Sequence, residues 1–287
     1  MRTSDIDDPL FLEAVLAIDS GNIARLEQLI QAHPELIKKR LLTPNEEGYF
    51  KDPYLMWFIA DNPIRNHKLP ENIMEVTRLL IKSARQFAND SYQKQVNYTF
   101  SLVETGRIPR ECGVQNDLLD LLMENGVIPG DVHGALTHGN LEAAKHILKR
   151  GGKMTLAAAV CLDRADDINE LQPGANQDDK QVALMAAAFY GQADKVKMLL
   201  KSGANPNGYV DHGFHTHATF LHQAVSSGSL DTVKRLLDAG ASRDATDKTY
   251  GGTPLGWAMY MQTEETDEEK KENYRTIENY LRARIDK

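Results

Sequence analysis

The sequence predicts an all-α solenoid of about eight stacked helix pairs, and two observations support this. Residues 182–204 recur with conservative changes as residues 219–241. Within each copy, apolar residues are spaced as on one face of an α-helix, and a glycine follows them. Self-similarity at a fixed interval is the signature of a repeat protein, in which each copy buries its apolar face against the next.

The second half of each copy predicts an amphipathic helix with a defined end. Val196, Leu199, Leu200 and Gly203 lie at i, i+3, i+4 and i+7, which draws one apolar stripe along a helix. Gly203 stands where a helix commonly closes with a left-handed residue, and Gly191 ends the preceding helix in the same way. Neither helix can bury its stripe alone, so the copies must stack.

Three short segments carry a family resemblance. Residues 251–255 read Gly-Gly-Thr-Pro-Leu, residues 221–224 read Leu-His-Gln-Ala, and residues 203–207 read Gly-Ala-Asn-Pro-Asn. These segments resemble successive parts of the repeat of ankyrin proteins. The resemblance is clearest over residues 182–258 and weaker toward the N-terminus. The resemblance implies paired helices with projecting loops, called fingers, and a concave surface that binds other proteins.

Altered copies of the unit fill the rest of the chain. The first has an apolar helix that ends at Gly21, after which Asn22 is placed to cap a second helix. The second carries an insertion at 63–72, and the last begins with Thr253 as N-cap and Pro254 at the first helical position. Because added repeats extend one core, residues 1–287 are predicted to form a single solenoid domain.

Loop lengths predict where fingers project. The segments from Gly203 to Leu221 and from Gly240 to Leu255 are long enough for a hairpin-like finger. The junctions at 126–132 and 151–156 are too short to hold one. The sequence therefore predicts short or missing fingers in the N-terminal half.

Composition limits the class of partner. The net charge is −8 and the pI is about 5.6, which argues against nucleic acid or an anionic membrane as the main partner. Cys112 and Cys161 are too few for a disulfide framework and favour a reducing, cytoplasmic location. The longest apolar run is far shorter than a membrane span. The protein is expected to be a monomer that binds another protein and needs no cofactor.

Histidines in the first long finger raise an alternative function. His212, His215 and His217 precede His222 in a segment that also holds Asp211. Closely spaced imidazoles on an extended loop can bind a divalent metal, so residues 211–222 could serve a metal-binding protein or a metal-dependent hydrolase. In the other interpretation, His222 is the structural histidine of the ankyrin motif, and the remaining imidazoles decorate an exposed loop.

An aromatic cluster forms a second candidate site. Tyr49, Phe50, Tyr54, Trp57 and Phe58 lie close together in the chain, just before the insertion. Such residues are enriched in recognition pockets, but five aromatics near a helix are more often buried in a core. Core packing is therefore the favoured interpretation. The sequence shows neither a nucleophile motif nor a phosphate-binding glycine loop, and no catalytic residue is predicted.

The predicted partner site lies on the two long fingers and the adjoining helices. Aromatic and charged residues at a finger tip are not required by the fold, and exposed aromatics are disfavoured unless a partner covers them. The predicted contact residues are Tyr209, His212, Phe214, His215, His217, Arg243, Asp244, Lys248 and Tyr250 on the fingers, with Met185, Gln223 and Trp257 on the helices.

Overall fold

The computed structural model of the chain describes residues 3–43 and 47–284, and within them it is built of α-helices. In chain order the helices are α1 (Pro9–Asp19), α2 (Ile23–Ala32), α3 (Glu35–Lys38), α4 (Ile73–Phe87), α5 (Asn89–Thr105), α6 (Arg107–Glu111), α7 (Gln115–Glu124), α8 (His133–Thr137), α9 (Leu141–Lys149), α10 (Leu156–Cys161), α11 (Ala165–Leu171), α12 (Gln177–Phe189), α13 (Ala193–Lys201), α14 (Phe220–Ser226), α15 (Leu230–Asp238), α16 (Pro254–Glu264) and α17 (Glu268–Arg282).

Short 3-10 helices cover Thr3–Asp5, Leu55–Ala60 and Gln172–Gly174. The described residues contain no β-strand, only an isolated bridge between Asp131 and Lys153. Apart from the short helices α3 and α6, the helices form eight pairs in chain order, with the 3-10 helix Leu55–Ala60 as the first member of the second pair. The predicted all-α class with about eight helix pairs is confirmed.

The described residues group into two compact units. The N-terminal unit comprises residues 3–43, 47–130 and 138–152, and the C-terminal unit comprises residues 131–137 and 153–284. The single domain expected over 1–287 stays a prediction.

In the N-terminal unit, helix boundaries follow the capping residues. Asp8 accepts hydrogen bonds from the backbone N–H groups of Leu10 and Phe11, which begins α1, and Asn22 caps α2 through the N–H of Arg25. Gly21 between them has φ +67°, and a Cβ there would lie 2.1 Å from the side-chain oxygen of Asn72. Because that conformation and that contact both exclude a side chain, the turn between α1 and α2 requires glycine.

The aromatic residues around the 3-10 helix Leu55–Ala60 form a core cluster. Phe50, Tyr54, Trp57 and Phe58 are buried, and their rings meet at centroid distances between 5.3 and 6.3 Å. Only Tyr49 of the group is exposed, at 58%. The core interpretation of this cluster is confirmed.

The insertion after this 3-10 helix is fixed by a buried ionic cluster. Asp61 adopts a left-handed conformation and accepts hydrogen bonds from the backbone N–H groups of Arg65, Asn66 and His67. The Arg65 guanidinium, whose side chain is only 4% exposed, contacts the carboxylates of Asp61 and Asp19. The start of the insertion is therefore tied to the end of α1.

The C-terminal unit contains the regular repeats. Helices α10, α12, α14 and α16 contact one another in series, and α13, α15 and α17 form a second row behind them. Of the predicted stripes, Val196, Leu199, Val233 and Leu236 are fully buried in this interior, whereas Leu200 is half-exposed. Thr253 caps α16 by accepting a hydrogen bond from the N–H of Gly256, as predicted. The two long loops after α13 and α15 lie at the ends of these repeats.

Candidate functional site

The two long loops of the C-terminal unit are joined to each other by hydrogen bonds. We call residues 202–219 finger 1 and residues 239–253 finger 2. The amide side chain of Asn207 in finger 1 donates to the carbonyl of Gly240 (2.9 Å) and accepts from the N–H of Ser242 (2.7 Å). The hydroxyl of Tyr209 donates to the carbonyl of Thr246 at 2.5 Å. These bonds fix the spacing of the fingers.

Asp247 organises the tip of finger 2. The residue is 3% exposed, and its carboxylate accepts hydrogen bonds from the backbone N–H groups of Thr249, Tyr250 and Gly252 and from the indole N–H of Trp257. Burial alone would raise the pKa of this carboxyl, but the four donors stabilise the anion and lower the pKa to about 2. Asp247 is therefore ionised near neutral pH and holds both the loop and Trp257.

His222 links finger 2 to α14. Its Nδ1 lies 2.7 Å from the Thr219 hydroxyl, and its Nε2 lies 2.9 Å from the carbonyl oxygen of Gly252. Burial lowers the pKa of this fully buried imidazole, which favours its neutral form. The structural interpretation of His222 is confirmed. His133 lies in a similar setting, 2.8 Å from the Thr155 hydroxyl, and burial lowers its pKa too.

A row of ring contacts crosses the finger side of the unit. The Phe189 ring lies 4.9 Å from the imidazole of His215, which lies 5.7 Å from that of His217. His217 in turn lies 6.1 Å from the ring of Trp257, measured between centroids. The row brings residues of α12, finger 1 and α16 into one continuous surface.

The row ends at a groove between finger 2 and α16 with a volume of about 590 Å³. Trp257, Tyr260 and Met261 lie at i, i+3 and i+4 of α16 and so share one helix face. The lining residues are His217, Tyr250, Gly252, Gly256, Trp257, Tyr260 and Met261. Tyr250 is 86% exposed and Tyr260 is 61% exposed. Because these exposed aromatic side chains adjoin an apolar groove, the groove is the candidate binding surface of this unit.

Three of the predicted contact residues, His217, Tyr250 and Trp257, meet in this groove. Six more remain exposed or half-exposed elsewhere on the fingers: Tyr209, His212, His215, Arg243, Asp244 and Lys248. The groove also contains Tyr260 and Met261, which the sequence argument missed. Their spacing from Trp257 along α16 was the signal that could have found them.

The exposure expected for Phe214 is wrong. This side chain is 5% exposed, because its ring packs 5.7 Å from His133 and 6.3 Å from Phe189. Met185 and Gln223 on the adjoining helices are buried as well, so none of the three offers a surface to a partner. Phe214 instead anchors finger 1 to α8 and α12.

The four histidines between residues 212 and 222 contact different neighbours. His212 contacts the carboxylate of Asp178 at 2.8 Å, whereas His215 and His217 enter the ring row and His222 contacts Gly252. Across residues 3–43 and 47–284, no group of three or more histidine, cysteine, aspartate or glutamate side chains is arranged to hold a metal ion. The geometry thus gives no support to the metal-dependent alternative.

Comparison with known families shows to which family the chain belongs. A family model described as "Ankyrin repeats (3 copies)" matches residues 113–247 and 184–266, which together span more than half of the chain. The chain belongs to the ankyrin-repeat family. A search among curated proteins returned no match.

The family match starts at residue 113 and so takes in α7 and the helix pairs that follow it up to α16. The matched region of this ankyrin protein includes the repeats that carry the two fingers and the groove. Among its described helices, none is both long and apolar enough to cross a bilayer.

Proposed function

We propose that this ankyrin-repeat protein is a non-catalytic module that binds another protein through the groove between finger 2 and α16. The observation that carries the proposal is the exposure of Tyr250 and Tyr260 on either side of one apolar groove. Tyrosine and tryptophan dominate the energetics of protein interfaces, because each presents a large rigid apolar surface with a polar end. Ankyrin repeats generally mediate protein–protein interaction, which supports the same function.

The surroundings of the groove suit a preformed binding surface. Asp247 fixes Trp257 and the backbone of Tyr250, and Asn207 fixes finger 2 against finger 1. Because these groups are already ordered, a partner does not have to spend binding free energy on ordering them. The groove can therefore bind without a large rearrangement of the unit.

The composition supports a particular setting for this function. Cys161 is buried and Cys112 is exposed, and both are free thiols, as is usual in a reducing compartment. The net charge of −8 disfavours nucleic acid and anionic lipid as partners. We accordingly propose a cytoplasmic monomer that needs no cofactor and whose partner is a protein.

Affinity capture with a double variant tests this function. Tagged wild-type protein and the Tyr250→Ala/Tyr260→Ala variant are used to capture partners from the native cell, and bound proteins are quantified by mass spectrometry. Truncating two aromatic hot spots costs about 2 kcal/mol of binding free energy or more, so specific partners should fall more than about tenfold.

Tyr49→Ala is the matched control, since Tyr49 is an exposed tyrosine of the N-terminal unit. Surface truncations usually change the free energy of unfolding by less than about 0.5 kcal/mol, so all three proteins should remain folded. A partner set that survives the double variant but disappears with Tyr49→Ala would place the binding surface elsewhere.

A further inference from the structure

We propose that the groove recognises a basic segment of its partner, with lysine or arginine side chains lying on the rings of Tyr250, Trp257 and Tyr260. This inference rests on the proposed protein-binding function and adds the chemistry of the partner. It follows from the ring faces that line the groove and from the charges around it.

Four tyrosines of the C-terminal unit divide into two pairs according to whether a cation of the same chain lies over the ring. Tyr209 carries the ammonium group of Lys248 over its ring at 4.2 Å, and Tyr280 carries the guanidinium of Arg284 at 4.9 Å. No lysine or arginine in the described part of the chain lies over Tyr250 or Tyr260. The electron-rich faces of these two exposed rings are therefore available to cations from another molecule, and such contacts are favourable when the cation lies over the ring.

Trp257 adds a third ring with enhanced affinity for cations. Its indole N–H donates to the ionised carboxylate of Asp247 at 3.0 Å. A donor bonded to an anion is polarised by it, which increases the negative charge on the rest of the indole. Among aromatic side chains, tryptophan is also the strongest cation–π partner.

The charge around the groove has the matching sign. Between Arg243 and Arg275 the chain holds eight carboxylates against three lysines and two arginines, so this segment is acidic on balance. One of those lysines, Lys248, already lies on Tyr209. Glu264 follows Tyr260 and Met261 on the same face of α16, since it lies four and three residues after them. The cationic side chains of a basic segment bound along this face would lie between the aromatic rings and the acidic end of α16.

An acidic segment would meet repulsion here, and an uncharged apolar segment would gain nothing from the carboxylates. A second copy of this chain carries the same negative net charge and is also disfavoured. The basic segment is thus the one occupant that matches both features of the groove.

Two fluorescein-labelled peptides of eight residues test the proposal on the full chain. One alternates arginine with alanine and the other alternates glutamate with alanine. Fluorescence anisotropy should give saturable binding of the basic peptide and at least tenfold weaker binding of the acidic one. Tyr250→Ala/Tyr260→Ala should weaken binding of the basic peptide at least tenfold and Glu264→Gln about twofold, while Tyr49→Ala should leave it unchanged.

The fluorescence emission of Trp257 shows whether the peptide binds in the groove. The chain has two tryptophans, so Trp57→Phe leaves Trp257 as the only indole, and the basic peptide should quench its emission with the same midpoint as the anisotropy curve. If Trp57→Phe fails to fold, the anisotropy series with the tyrosine variants still decides.

Two results would overturn the proposal. One is equal affinity for the acidic and basic peptides. The other is an affinity for the basic peptide that is the same in the wild type and in Tyr250→Ala/Tyr260→Ala, because binding would then reflect general attraction to an acidic protein. Failure here is distinguishable from failure of the proposed function. If captured partners still depend on Tyr250 and Tyr260 while the basic peptide does not bind, the groove binds protein of a different chemistry.

Discussion

Replacing Arg65 by methionine is expected to lower the free energy of unfolding of the N-terminal unit by about 3 to 5 kcal/mol, the range for breaking a buried ion pair. The guanidinium contacts Asp19 at 2.5 Å and 3.1 Å, donates to the carbonyl of Phe58 at 3.2 Å, and lies 5.0 Å from the centroid of the Phe58 ring. Methionine keeps most of the aliphatic volume but none of the donors, so buried carboxylates lose their counter-charge.

Urea unfolding followed by Trp57 emission measures the effect, in a Trp257→Phe background so that only this unit reports. Arg25→Met is the matched control, because Arg25 contacts Glu13 at 2.6 Å but both side chains are about half exposed. Exposed ion pairs contribute roughly 0 to 1 kcal/mol to stability, so Arg25→Met should change the free energy of unfolding little. Similar shifts for Arg65 and Arg25 would contradict the account of the buried cluster.

Asp247→Asn is expected to lower the free energy of unfolding of the C-terminal unit by about 2 kcal/mol at neutral pH. The native pKa of Asp247 is about 2, below the ordinary value of 3.8, and a depression of this size corresponds to about 2 kcal/mol. The amide is isosteric but carries no charge, and its NH₂ group is a donor facing other donors.

The same substitution predicts a pH dependence with a definite sign. Because folding lowers the pKa of Asp247, its contribution is complete above the unfolded pKa near 4. It disappears as the pH falls toward the native pKa of about 2. The stability difference between wild type and Asp247→Asn should therefore shrink between about pH 5 and about pH 2.

Unfolding followed by Trp257 emission in a Trp57→Phe background measures both effects. Asp244→Asn, an exposed carboxylate on the same finger, is the control and should leave stability and its pH dependence unchanged. If the difference in free energy of unfolding between wild type and Asp247→Asn stays constant down to pH 2, the ionised carboxylate does not hold the finger.

The helices could be predicted from the sequence because their signals are local. Apolar spacing and glycine caps indicated α13 and α15, and the long segment that follows each of these helices indicated a finger. The role of His222 also followed from the repeat motif. These features depend on residues that are neighbours in the chain, and the structure reproduces them.

The tertiary contacts were not accessible in this way. Phe214 looked like an exposed aromatic on a finger, but it packs against His133 from a distant repeat. Asp247 was one acidic residue among many, and only the folded loop places four donors around it. The ionic cluster of Arg65 likewise joins Asp19 to the insertion across a long stretch of sequence. Sequence spacing carries no information on such pairings unless related sequences are compared.

Site-specific photocrosslinking tests whether a partner lies in the groove. The photoreactive amino acid p-benzoylphenylalanine replaces Tyr260 in the groove or Tyr49 in the N-terminal unit, and both proteins are irradiated in the native cell. We expect a discrete crosslinked partner from position 260, joined through a segment rich in lysine or arginine, and no such product from position 49. Crosslinking from position 49 with none from position 260 would contradict the assignment of the binding surface to the groove.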